Sequence, residues 1–186
     1  MTRSSIFSSL VLVVFLLATG LIHAQFGIYG MGTGGIESGP GVGSQALSNG
    51  HGSFTAWGGT GGIYDDFLHL GPIRLGADGR FFIEHTGNST PYGNKLQGGL
   101  GGLRADAHLP LIPLRPYVQA EVGAAGTNNG TEPSLTTGFT YQVQFGLDIT
   151  VFPHLDLRGE YGVGQMFFEG DNPTLQQFGG GLVLRL

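Results

Sequence analysis

Along residues 72–84 (PIRLGADGRFFIE) the side chains alternate, with Ile73, Leu75, Ala77, Phe81 and Ile83 on one parity and Arg74, Asp78, Arg80 and Glu84 on the other. A period of two predicts a strand with one apolar and one polar face. Residues 141–151 repeat the pattern, setting Tyr141, Val143, Phe145, Leu147, Ile149 and Val151 against Gln142, Gln144, Asp148 and Thr150. Residues 155–167 do so again, with Leu157, Tyr161, Val163 and Phe167 opposite Asp156, Arg158 and Glu160.

Three weaker stretches extend the series. Residues 115–125 oppose Val118, Ala120 and Val122 to Tyr117, Gln119 and Glu121, and residues 102–109 oppose Leu103, Ala105, Ala107 and Leu109 to Arg104, Asp106 and His108. Residues 174–186 set Phe178, Leu182, Leu184 and Leu186 against Gln177 and Arg185. Residues 25–34 and 54–64 are too glycine-rich to show a register; they are assigned as strands because closure of a barrel requires them. The connections alternate in length. Segments 65–71, 110–114 and 152–154 are short, and Pro110, Pro113 and Pro153 end strands because proline donates nothing to a ladder. Segments 35–53, 86–94 and 126–137 are longer and rich in Gly, Asn, Ser and Thr, and 169–173 is short but polar. Short turns on one side and long polar loops on the other fit a membrane barrel with its termini at the periplasmic, short-turn end.

In a soluble sandwich the apolar parity would face the core; in a membrane barrel it faces lipid and the polar parity lines the interior. Alternation alone does not separate the two. Charge type does: the polar parity carries Arg74, Arg80, Arg104, Arg158 and Arg185 against Asp78, Glu84, Asp106, Glu121, Asp148, Asp156 and Glu160, whereas a solvated face would carry lysine, and Lys95 is the sole lysine. Phe81, Phe82, Tyr141, Phe152, Phe167 and Phe168 lie near strand ends, suited to interfacial girdles. Strands of this length also suit a tilted crossing, which takes about 9–11 residues. The expectation is an all-β protein, an eight-stranded antiparallel up-and-down transmembrane β-barrel.

Composition adds the cellular route. Arg3 followed by the apolar run of residues 10–18, with Ala24 before Gln25, reads as a signal peptide over 1–24, leaving a barrel domain at 25–186. Roughly 20 apolar residues would be needed for a helical span, and this run is shorter. Once Arg3 is lost from the 8 basic residues, the 13 acidic ones leave a clearly negative chain that excludes nucleic acid as a partner. With 36 glycines but also 13 Phe and 6 Tyr, the chain is neither disordered nor collagen-like; glycines relieve crowding where strands bend and aromatics pack beside them.

Residues 115–123 (RPYVQAEVG) and the terminal 178–186 (FGGGLVLRL) resemble the small eight-stranded outer-membrane proteins: the OmpA transmembrane domain, OmpX and the opacity-like porin family. The resemblance is one of pattern over nearly the whole of 25–186. It implies residence in the cell outer membrane of a Gram-negative bacterium, contact with outer-membrane lipid, and passage through periplasmic chaperones and the barrel assembly machinery. A monomer is expected. Barrels of this group often end in Phe; this chain ends in Leu186, which leaves the insertion signal apolar but untypical.

Eight strands enclose an interior just filled by side chains, so the expected role is structural or interactive rather than that of an open pore. The alternative is a loop-mediated adhesin or ligand-binding surface protein. A third reading, a lipid-modifying enzyme, rests on His51-Gly52-Ser53, which resembles the His-x-Ser of lipid A deacylases but lacks an evident third member. No catalytic, cofactor-binding or metal residues are therefore assigned, and no cofactor is expected. Asp65-Asp66 reads as a periplasmic turn, and Asn88 and Asn129, which fit the glycosylation sequon, read as ordinary loop residues.

Overall fold

The computed structural model describes residues 25–40, 51–86, 94–109, 112–128, 134–168 and 172–186. Eight strands follow one another: β1 (Gln25–Pro40), β2 (His51–Leu70), β3 (Ile73–His85), β4 (Lys95–Ala107), β5 (Leu114–Asn128), β6 (Thr136–Phe152), β7 (Leu155–Phe167) and β8 (Thr174–Arg185). Each pairs antiparallel with its chain neighbours, and β1 closes the ring on β8. Closure joins the first strand to the last, which a sheet surrounded by hydrocarbon requires because no water is there to satisfy a free amide. The strands run from 12 to 20 residues, enough to cross a bilayer at a tilt.

The two glycine-rich segments are strands, and their register is set by pairs such as Gly30↔Gly61 and Gly32↔Gly59. Several expected connections are shorter than the sequence suggests because pairing continues into them. β2 runs through Leu70, so the expected 65–71 segment reduces to a turn at Gly71 and Pro72, with Gly71 in the left-handed region (φ 65°). Asp66 is thus not a turn residue: it lies within β2, fully buried inside the barrel. Just beyond it the register slips between Asp66 and Leu68, leaving Phe67 as the extra residue of a bulge. At the other end β1 and β2 stay paired as far as Pro40↔His51, β5 reaches Asn128, and β6 begins at Thr136. Residues 1–24, read as the signal peptide, and the loop residues Asn88 and Asn129 lie outside the described residues.

Burial decides which parity faces where. Ile28, Ile63, Phe81, Leu103, Val122, Phe145, Leu157 and Leu182 are exposed on the outer wall, while Arg104, Arg115, Asp148 and Asp156 are almost wholly buried inside. A soluble sandwich would show the reverse, so the ambiguity left by alternation resolves in favour of the transmembrane barrel. Phe81, Tyr141, Phe152 and Phe167 point outward as expected. Phe82 does not. It shares the parity of Arg80 and Glu84 and is completely buried within the barrel, where Phe168 also packs against its cluster.

Candidate functional site

The interior is built on a repeated contact between tyrosine and glycine. Tyr29, Tyr64 and Tyr117 point inward, and across the ladder each faces a glycine: Gly62, Gly27 and Gly146. A Cβ on Gly27 would lie 2.3 Å from the Tyr64 ring, one on Gly62 2.4 Å from Tyr29, and one on Gly146 2.1 Å from Tyr117. Each ring therefore lies down over its partner strand where no side chain stands, the packing by which aromatics cover glycines in sheets. Laid flat, the rings leave room at the centre for guanidinium groups.

Arg104 fills that room between two rings, its guanidinium 4.3 Å from the centre of Tyr64 and 3.9 Å from that of Tyr117. Arg158 stacks at 4.4 Å on Tyr29 and 4.7 Å on Tyr117. Planar, weakly hydrated guanidinium tolerates such a site where ammonium would not, which explains why the interior cations are all arginine. Asp148 gathers them: it accepts two bonds from Arg158, at 2.8 and 2.9 Å, and one from Arg104 at 3.0 Å, with Arg115 at 3.6 Å. Arg80 pairs with Glu121 at 3.1 Å and with Glu160 at 3.0 Å, while Tyr117 donates to Glu160 at 2.7 Å and Tyr29 to Asp78 at 2.8 Å. At the short-turn mouth, Arg74 pairs with Asp106, Arg115 and Arg185 share Asp156 at 2.9 Å each, and Gln25 accepts from both Arg74 and Arg115.

Parity correctly foresaw most of these groups, but it missed Arg115 and Asp66. Arg115 shares the inward parity of Tyr117, so its place was readable. Asp66 sits 3.8 Å from Arg104 and against Asp106, in a strand hidden by the glycines before it and the bulge after it.

Toward the long-loop end the chemistry changes. Gln144 donates to Gln142 at 2.9 Å, Gln142 to Gln177 at 2.7 Å and Gln177 to Glu84 at 3.0 Å, so a relay of amides crosses the interior. Near and above it lies an apolar layer of Phe54, Ala56, Phe82, Leu96, Leu100, Ala125, Met166 and Leu175. The ionic lattice thus occupies one half of the interior and a hydrophobic core much of the other.

The His-x-Ser of the sequence lies at the start of β2, where His51 pairs with Pro40 and Ser53 with Ser38. Ser53 is exposed, whereas the carboxylate of nearby Glu37 is buried on the opposite parity. Glu37 therefore does not turn toward Ser53. Among the described residues no three His, Asp or Glu side chains converge as a metal site.

No family model and no curated protein matches the sequence. Solved structures do match, and the fold is that of the small eight-stranded outer-membrane β-barrels. Neisserial surface protein A is 19% identical, with a TM-score of 0.58 over 87% of this chain and 97% of its own. OprG of Pseudomonas aeruginosa is 9% identical, with a TM-score of 0.52 over 88% of this chain and 96% of its own. Ail, the attachment invasion locus protein of Yersinia pestis, is 12% identical, with a TM-score of 0.51 over 88% of this chain and all of its own. At these identities the shared property is the fold.

Proposed function

We propose that this protein is a monomeric resident of the outer membrane with a structural or interaction role and an interior that is filled rather than open. The observation that carries the reading is the inversion of polarity: arginines and carboxylates are buried within a closed barrel whose outer wall is apolar. The filled interior is supported by stacked tyrosines and arginines in one half and by packed Phe82, Leu96 and Met166 in the other. Export under a leader at 1–24, escort by periplasmic chaperones and insertion by the barrel assembly machinery belong to the same proposal, as does an orientation with the short turns in the periplasm. The protein has no enzymatic role in this reading.

The test is refolding into vesicles. The unboiled protein is expected to run faster than the boiled one on a denaturing gel and to give no sustained channel openings in a planar bilayer. Coincident bands in a protein soluble without detergent would overturn the membrane reading, and steady conductance would overturn the filled interior.

A second reading, surface attachment through the loops, is favoured by one feature. His51–Ala56 of β2 continue past its last pair with β3, Trp57↔His85, while still paired to β1, so the β1–β2 ladder reaches beyond the end of β3. Removing residues 41–50 would abolish binding to cells or matrix if that reading holds and leave it unchanged if it does not.

A further inference from the structure

The outer wall formed by β3, β4 and β5 is uneven in its short-turn half. Leu103 is 69% exposed and stands between two alanines, Ala77 on β3 and Ala120 on β5, its partners across the ladders. Two residues further toward the short turns the order inverts: Ala105 lies between Leu75 and Val118. Large beside small on neighbouring strands leaves a hollow of about 410 Å³ lined by Phe67, Leu75, Leu103, Ala105, Val118 and Ala120. Its side wall depends on the β2 bulge, because Phe67 is the unpaired extra residue and its ring is turned outward.

The hollow opens onto the outer wall, which in the membrane faces hydrocarbon. Its lining is apolar, so water gains nothing there, and the molecules in excess around it are lipid tails. A flexible tail fills an irregular hollow without needing a complementary surface, and filling restores the dispersion contacts that a void would forfeit. We propose that this hollow is a seat for one acyl chain of an inner-leaflet phospholipid, held in preference to the lipid along the rest of the wall. The proposal rests on the transmembrane reading and on the short turns facing the periplasm.

The chain has one tryptophan, Trp57, so a W57F background supports single reporters. F67W places a reporter in the hollow, and L182W places one on the lipid-facing wall of β8. Both are titrated in detergent micelles with phosphatidylcholine brominated in mid-chain, a contact quencher. F67W is expected to reach half-quenching at a several-fold lower lipid fraction than L182W. Filling the hollow with Ala105→Leu and Ala120→Leu is expected to bring the F67W midpoint to that of L182W, with folding followed by the gel shift. Equal midpoints in F67W and L182W, or later quenching of F67W, would overturn the seat even if the filled variant failed to fold. Absence of quenching at both positions would instead overturn the transmembrane reading.

Discussion

Tyr117 and Gly146 face each other across the β5–β6 ladder, and the tyrosine ring occupies the space that a side chain on residue 146 would need. With its ring held down there, Tyr117 places its hydroxyl on Glu160 at 2.7 Å and its face against the guanidinium of Arg104 at 3.9 Å. One missing side chain on β6 thus positions a ring that touches a guanidinium from β4 and a carboxylate on β7.

Gly146→Ala is expected to push the ring off its seat and cost about 1–3 kcal/mol, the usual penalty for overpacking. Gly159→Ala, where a Cβ would meet nothing within 4 Å, should change stability by no more than about 0.5 kcal/mol. Urea titration of the refolded protein in vesicles measures both, and equal effects would remove the role given to the tyrosine–glycine contact.

Asp148 holds Arg104 and Arg158 at once, with Arg115 close by. Asp148→Ala leaves buried guanidinium groups without their anion, and the expected loss is about 3–5 kcal/mol in the same titration. Arg185 is more exposed, at the short-turn mouth, so Arg185→Gln should cost clearly less.

Phe81 and Phe82 are adjacent but face opposite ways. Phe82→Ala empties part of the apolar layer and is expected to cost about 3–5 kcal/mol. Phe81→Ala, on the lipid-facing wall, should cost less than half as much. The reverse order would contradict the inward placement of Phe82.

These contrasts mark how far the sequence could be read. Period-two alternation revealed the strands and their facing wherever apolar and charged residues took turns, as in β3, β6 and β7. It was silent in β1 and β2 because glycine carries no polarity, and their pairing follows from closure of the ring rather than from any local signal. Phe82 was misread by residue type although it shares the parity of Arg80 and Glu84; an apolar layer inside a polar-lined barrel breaks the simple rule of charge in and grease out. The extent of β2 was hidden by its bulge at Phe67, which interrupts alternation where Asp66 turns inward. The stacking of Arg104 between Tyr64 and Tyr117 joins β4 and β5 to β2, which pairs with neither, and such a meeting across the interior leaves no trace along the chain.

The lipid-facing wall makes its own demand. Phe145 is exposed on the outer surface of β6, and Phe145→Arg should cost about 2–4 kcal/mol if it stands near the midplane. Phe145→Leu keeps the surface apolar and should cost less than about 1.5 kcal/mol. Both are read from refolding in vesicles, and a tolerated arginine would place this face in water.

The central claim is that charge lies inside and the apolar parity touches lipid, and site-directed spin labelling along residues 141–149 tests it most directly. The chain has no cysteine, so each label can be placed alone. In vesicles, labels at 141, 143, 145, 147 and 149 are expected to collide freely with dissolved oxygen and poorly with a water-soluble nickel chelate. Labels at 142 and 144 should be shielded from oxygen. An alternation of opposite phase, or access of the nickel chelate at 145, would contradict the account.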